Sequence, residues 1–149
     1  MRANELMIGD WMLCDYKVSS RPVEKVTATI YSIEEDRSVL VKKDISNFFC
    51  FLNEIEPIPL TPEILEANGF SPRNKDKSIW RKILDDVDYR IEIHFQCNGE
   101  IEVKVAENQT NYNYIVYHGN YIHCLQHALR LAGLDQIADN LVIEKGGAQ

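Results

Sequence analysis

From Asp10 to Leu52 the chain reads as short stretches of alternating apolar and polar residues separated by polar turns. Asp10 to Tyr16 sets Trp11 and Leu13 on one face and Met12 and Cys14 on the other. Glu24 to Ile33 sets Val26, Ala28 and Ile30 against Thr27, Thr29 and Tyr31. A period of two is the mark of a strand with one buried face. Ser38 to Lys42 and Asn47 to Leu52 are further short runs, rich in Val and Phe, and the turns between strands are Ser19-Ser20-Arg21-Pro22 and Glu34-Glu35-Asp36-Arg37. Four or five short strands with polar turns suit a small, strongly curved barrel, and an SH3-like barrel is the expectation for residues 1–56.

The pattern changes at Glu56-Pro57-Ile58-Pro59, where two prolines remove the N–H donors a central strand needs. A helix start follows directly. Thr61 is a natural N-cap, Pro62 sits where a missing N–H is harmless, and Glu63 complements the helix dipole. Leu60 and Leu65 stand at the two positions of a hydrophobic staple, and Gly69 is placed to stop the helix in the left-handed conformation. The prediction is a two-turn helix over Pro62 to Asn68.

Tyr89, Ile91, Ile93 and Phe95 alternate with Arg90, Glu92, His94 and Gln96; after Asn98-Gly99, Ile101, Val103 and Val105 alternate with Glu100, Glu102 and Lys104. A two-residue Asn-Gly loop would place Phe95 opposite Glu102 and split the apolar face. A three-residue loop, Cys97-Asn98-Gly99, places Phe95 opposite Ile101 and keeps every apolar residue on one side, with Gly99 in the left-handed bulge position. The same register sets Glu92 opposite Lys104 and His94 opposite Glu102 on the outer face. Ser78 to Leu84 and Tyr112 to His118 predict flanking strands, and Asp85-Asp86-Val87-Asp88 a hairpin turn.

A last helix is predicted from an N-cap at Asn120 to a stop at Gly133. Tyr121, Ile122, Leu125, Ala128, Leu129 and Ala132 form its apolar stripe. His123, Gln126, His127 and Arg130 fall on the other side, which reads as a solvated face. Leu141-Val142-Ile143 reads as a short strand, and Glu144 to Gln149 as a tail. Residues 57–149 are thus expected to form a helix–antiparallel sheet–helix module, and the whole chain an α+β protein.

Composition narrows the function classes. The chain has 149 residues, a net charge of −7 and 45% hydrophobic residues, so a packed core is expected and a general basic footprint for nucleic acid is missing. The acidic balance runs through both halves, with 7 basic and 10 acidic side chains in residues 1–60 against 9 and 13 in residues 61–149. The start, Met1 to Leu6, has an acid at Glu5 and only a short apolar run after it, which does not suit a secretory signal, and no stretch approaches a membrane span. Cys14, Cys50, Cys97 and Cys124 lie far apart, with no C-x-x-C pair, so free thiols and a cytoplasmic setting are the expectation.

Three segments could carry chemistry. His123 and His127, one helical turn apart, have the i, i+4 spacing of a metal pair, but Cys124 stands where a zincin needs its Glu base, and a third ligand would have to come from His118 or a carboxylate. Cys124 beside either His could suggest nucleophilic catalysis, yet sequence neighbours on a helix point apart. Arg73, Lys75, Lys77, Arg81 and Lys82 surround Trp80, with Asp76 as the single acid between 73 and 82. Basic side chains with an aromatic could grip phosphates and stack a base. The simpler reading of that segment is a solvated loop entering a strand, with Trp80 turned into the core.

The blocks Arg2-Ala3-Asn4-Glu5-Leu6-Met7-Ile8-Gly9-Asp10-Trp11, Ile55-Glu56-Pro57-Ile58-Pro59-Leu60-Thr61-Pro62-Glu63-Ile64-Leu65 and Tyr121-Ile122-His123-Cys124-Leu125-Gln126-His127-Ala128-Leu129 occur here in this order. Together they resemble an uncharacterised family of short proteins from Bacteroides-type gut bacteria and their prophages and mobile elements. That resemblance covers about a quarter of the chain, and its last helix departs from the family's aromatic ending through Ala128-Leu129-Arg130-Leu131. It implies an origin and no activity. The expectation is a non-catalytic binding or accessory module acting through protein contacts, with no metal, cofactor or membrane partner. The alternative is a nucleic-acid binder using the barrel and residues 73–82.

Overall fold

A computed structural model describes residues 5–34, 38–84, 89–107, 111–117 and 119–143. The protein is α+β, with two five-stranded antiparallel sheets and few helices. The chain divides into two compact units, Met1–Ile58 and Pro59–Gln149. The turn expected at Asp85-Asp86-Val87-Asp88, His118 and the tail from Glu144 lie outside the described residues.

In the first unit, β1 (Trp11–Tyr16), β2 (Glu24–Ile33), β3 (Ser38–Lys43), β4 (Ser46–Phe51) and β5 (Ile55–Pro57) form one sheet in the order β4-β3-β2-β1-β5. The alternation seen in the sequence selects the buried face: Met12, Cys14, Ala28, Ile30, Val39, Val41 and Cys50 share one core cluster. The proline constraint is met at the edge of the sheet, where Pro57 stands opposite Met12. A 3-10 turn, Leu52–Glu54, joins β4 to β5; Glu54 accepts a hydrogen bond from the Phe51 N–H (3.0 Å) and pairs with Lys17.

The described pairings leave β4 and β5 as the two edges, so they do not close this sheet into a barrel. It coils nonetheless. Tyr16 at the end of β1 meets Phe48 of β4 edge-on, with ring centroids 5.0 Å apart, although two strands separate β1 from β4 within the sheet. A register shift between Ile30 and Ser32 marks a bulge in β2, a device that increases local twist.

The second unit opens with α1 (Pro62–Ala67). The Thr61 hydroxyl accepts from the Ile64 N–H at 3.3 Å. At the other end Gly69 is left-handed (φ 83°), the Gly69 N–H donates to the Glu66 carbonyl (3.0 Å) and the Phe70 N–H to the Leu65 carbonyl (3.0 Å). Those two bonds are a Schellman stop.

Next come β6 (Ser71–Pro72), β7 (Ile79–Leu84), β8 (Tyr89–Phe95), β9 (Ile101–Glu107) and β10 (Asn111–Tyr117), a meander in the order β10-β9-β8-β7-β6. The β8–β9 hairpin has the expected register: Phe95 stands opposite Ile101, Glu92 opposite Lys104 and His94 opposite Glu102. Gly99 is left-handed at φ 85°. Trp80, Ile91, Ile93, Ile101, Val103 and Val105 are buried.

The end of the chain departs from expectation. The last long helix, α2 (Ile122–Leu131), is capped at Tyr121, one residue later than the Asn120 expected. Its polar side is not a solvated face, because His123 is only 8% exposed and Gln126 is fully buried. For Gln126 the reason is α3 (Asp135–Asp139), an element the periodicity did not reveal. It folds back so that the Gln126 side chain donates to the Ala138 carbonyl (3.2 Å), and Arg130 pairs with Asp139 (3.2 Å). Leu141 to Ile143 is not a strand, although Leu141 and Ile143 are buried.

Candidate functional site

The basic segment is largely committed to the fold of its own unit. Glu92, on the outer side of β8 yet only 6% exposed, collects both arginines. Its Oε2 accepts from Arg73 Nη1 (2.7 Å) and from Arg81 Nε and Nη2 (3.1 and 2.9 Å). Its Oε1 lies 3.2 Å from His94 Nε2, so His94 turns to its own strand neighbour although Glu102 stands opposite it in register. Burial alone would raise the Glu92 pKa, but the hydrogen bonds from His94, Arg81 and Arg73 outweigh it and hold the carboxyl at about 2.

Lys82 reaches the exposed carbonyl at the end of α1, donating to the Asn68 oxygen at 2.7 Å, and its ammonium lies 5.9 Å from the centre of the Phe70 ring. Trp80 has no exposure, and its indole N–H donates to the Lys77 carbonyl (2.8 Å). A buried ring offers no face to a nucleic-acid base, so the aromatic half of that chemistry is not available. Lys75 and Lys77 remain exposed in the β6–β7 turn. Arg73 and Arg81 line an open groove of about 350 Å³ together with Gly69, Ser71, Pro72 and Ile83.

On α2, the His123 and His127 rings pack edge to face with centroids 5.7 Å apart, and Tyr121 stacks on His123 at 5.8 Å. Among the described residues no three His, Cys, Asp or Glu side chains gather as a metal-holding group. Cys124 Sγ lies 3.8 Å from His123 Nε2, so the two do meet, contrary to the expectation that helix neighbours point apart. Both residues are buried, at 4% and 8% exposure, which leaves little approach for a substrate.

A different surface stands out on the β3–β4 hairpin. Phe49 is 68% exposed, Phe51 is 58% exposed and Ile45, in the turn, is 99% exposed. Leu40 of β3, half-buried, lies directly opposite Phe49. The sequence signal was present: Phe48-Phe49-Cys50-Phe51-Leu52 is apolar at every position, so alternation necessarily turns Phe49 and Phe51 away from the face that buries Cys50. Exposed phenylalanines two apart on an edge strand can bury another chain's apolar side chains while the strand's outer main-chain groups pair with it.

No protein-family model matches the chain, and no curated protein or solved structure matches it either.

Proposed function

We propose that the protein is a non-catalytic binding module that works through protein contacts, and that its docking face is the β3–β4 hairpin. The observation that carries this reading is the exposure of Ile45, Phe49 and Phe51 on one hairpin at the edge of a sheet. The occupant is an extended segment of a partner protein that adds to β4 as a strand, with apolar side chains two residues apart resting on Phe49 and Phe51. Exposed aromatic anchors beside polar neighbours such as Lys42, Asn47 and Ser46 have the composition of a recognition surface. The strand order β4-β3-β2-β1-β5, the 3-10 turn before β5 and the β1–β4 contacts support an open SH3-like barrel as the scaffold. The resemblance of the three sequence blocks supports an origin on a prophage or mobile element.

The nucleic-acid alternative has less support. Trp80 is buried, Arg73 and Arg81 share one carboxylate, and a net charge of −7 repels phosphate. Random DNA or RNA should then bind no tighter than about 10⁻⁵ M at about 0.15 M salt, the level of non-specific contacts. Fluorescence anisotropy checks this. Sub-micromolar binding that weakens steeply with salt and is lost on changing Lys75, Lys77, Arg81 and Lys82 to Ala would replace the protein-partner reading.

A further inference from the structure

Cys14 and Cys50 lie on β1 and β4, which are not neighbours in the sheet. The coiling of the sheet brings them together. Both are buried, at 0% and 2% exposure, in one core cluster. Cys50 Sγ lies 3.4 Å from the carbonyl oxygen of Asp15, the residue after Cys14.

We propose that Cys14 and Cys50 are a reversible dithiol–disulfide pair whose oxidation staples β1 to β4 and locks the coil of the first sheet. The pair is reduced here, both cysteines being free. The oxidant is a low-molecular-weight disulfide such as oxidised glutathione. Cys50, as thiolate, attacks one sulfur of that disulfide; a mixed disulfide forms and the first small thiolate leaves. Cys14 then loses its proton and attacks the Cys50 sulfur, forming the Cys14–Cys50 bond and expelling the second small thiolate. Two protein thiols are oxidised, one small disulfide is reduced to two thiols, and the two protons released by the protein end on those thiols.

Cys50 is the natural first nucleophile for two reasons. β4 is an edge strand, which can open while the rest of the sheet stays paired, whereas β1 is held between β2 and β5. The hydrogen bond from Cys14 also holds the Cys50 thiol below its ordinary range, while that bond and burial push Cys14 well above it. Cys97, exposed on the β8–β9 loop, is the internal contrast: it meets the oxidant first but lies in the other unit.

The test is to equilibrate the full chain with oxidised and reduced glutathione without denaturant, quench with acid, alkylate and map the peptides. The expected result is a Cys14–Cys50 linked peptide and a thermal midpoint raised by several degrees, both reversed by dithiothreitol. The link should persist in Cys97→Ser and vanish in Cys50→Ser. Glutathione adducts at Cys97 alone, an unresolved adduct at Cys50, or a Cys14–Cys50 link that forms only in denaturant would overturn the proposal. Because mapping is done on the natural sequence, the answer does not depend on any variant folding.

Discussion

The side-chain amide of Asn68 pairs both ways with the backbone of Val142: its Nδ2 donates to the Val142 carbonyl (2.8 Å) and its Oδ1 accepts from the Val142 N–H (2.7 Å). An amide has the donor and acceptor of a peptide group, so Asn68 stands in for one residue of a neighbouring strand. The same Nδ2 reaches back to the Ile64 carbonyl at 2.8 Å, and the Asn68 carbonyl accepts from Lys82. One residue therefore closes α1, receives β7 and ties down the segment that follows α3.

Asn68→Ala should accordingly destabilise the protein by about 1–2 kcal/mol, since three partly exposed side-chain hydrogen bonds are lost. Amide exchange at Val142 should accelerate in the variant while that at Ile93 changes little. Unchanged exchange at Val142 would show that the last segment is held by the burial of Leu141 and Ile143 alone.

Glu92 should make stability depend on acid. Its carboxyl is held at about 2 against an ordinary value of 4.5, so it contributes stability that is fully present above 4.5 and is lost as pH falls through about 2. The loss should be on the order of 2 kcal/mol, allowing for Arg73 being 45% exposed. Urea unfolding across that window should show the decline, and Glu92→Gln should flatten it while lowering stability at neutral pH. An equal decline in Glu92→Gln would assign acid sensitivity to other carboxylates.

Replacing Gly99 by Val should cost about 1 kcal/mol or more, because a β-branched residue resists φ of 85°. A Cβ at Gly99 meets nothing within 4 Å, so the cost would be backbone strain without a clash. Thermal unfolding reads it directly, and an unchanged midpoint would contradict the turn assignment.

What was legible in the sequence was local. The β8–β9 register followed from requiring Ile91, Ile93, Phe95, Ile101, Val103 and Val105 to share a face, and α1 from Thr61, Pro62 and Gly69, each a local chemical constraint. The short pieces were not legible: the two residues of β6, the 3-10 turn at Leu52–Glu54 and the five residues of α3 have too few positions for a period to show. The burial of Gln126 is hidden for the same reason, since it depends on α3 covering a face that looks polar on a wheel. At the candidate sites, Trp80 turning into the core was readable from strand alternation. The partner of His94 was not, because register places Glu102 opposite while burial and the two arginines have already drawn Glu92 to that spot. The Phe49–Phe51 face was present as an unbroken apolar run, and only the fold showed which side of it faces outward.

The most direct test of the account is affinity capture from a lysate of the native host, with and without nuclease, comparing the natural chain with Phe49→Ser/Phe51→Ser. Both side chains are already largely exposed, so the double variant should melt within a few degrees of the natural chain. The account predicts a protein retained after nuclease treatment and lost from the double variant. A catch that survives in the double variant, or one that disappears with nuclease, would contradict the β3–β4 hairpin as the docking face.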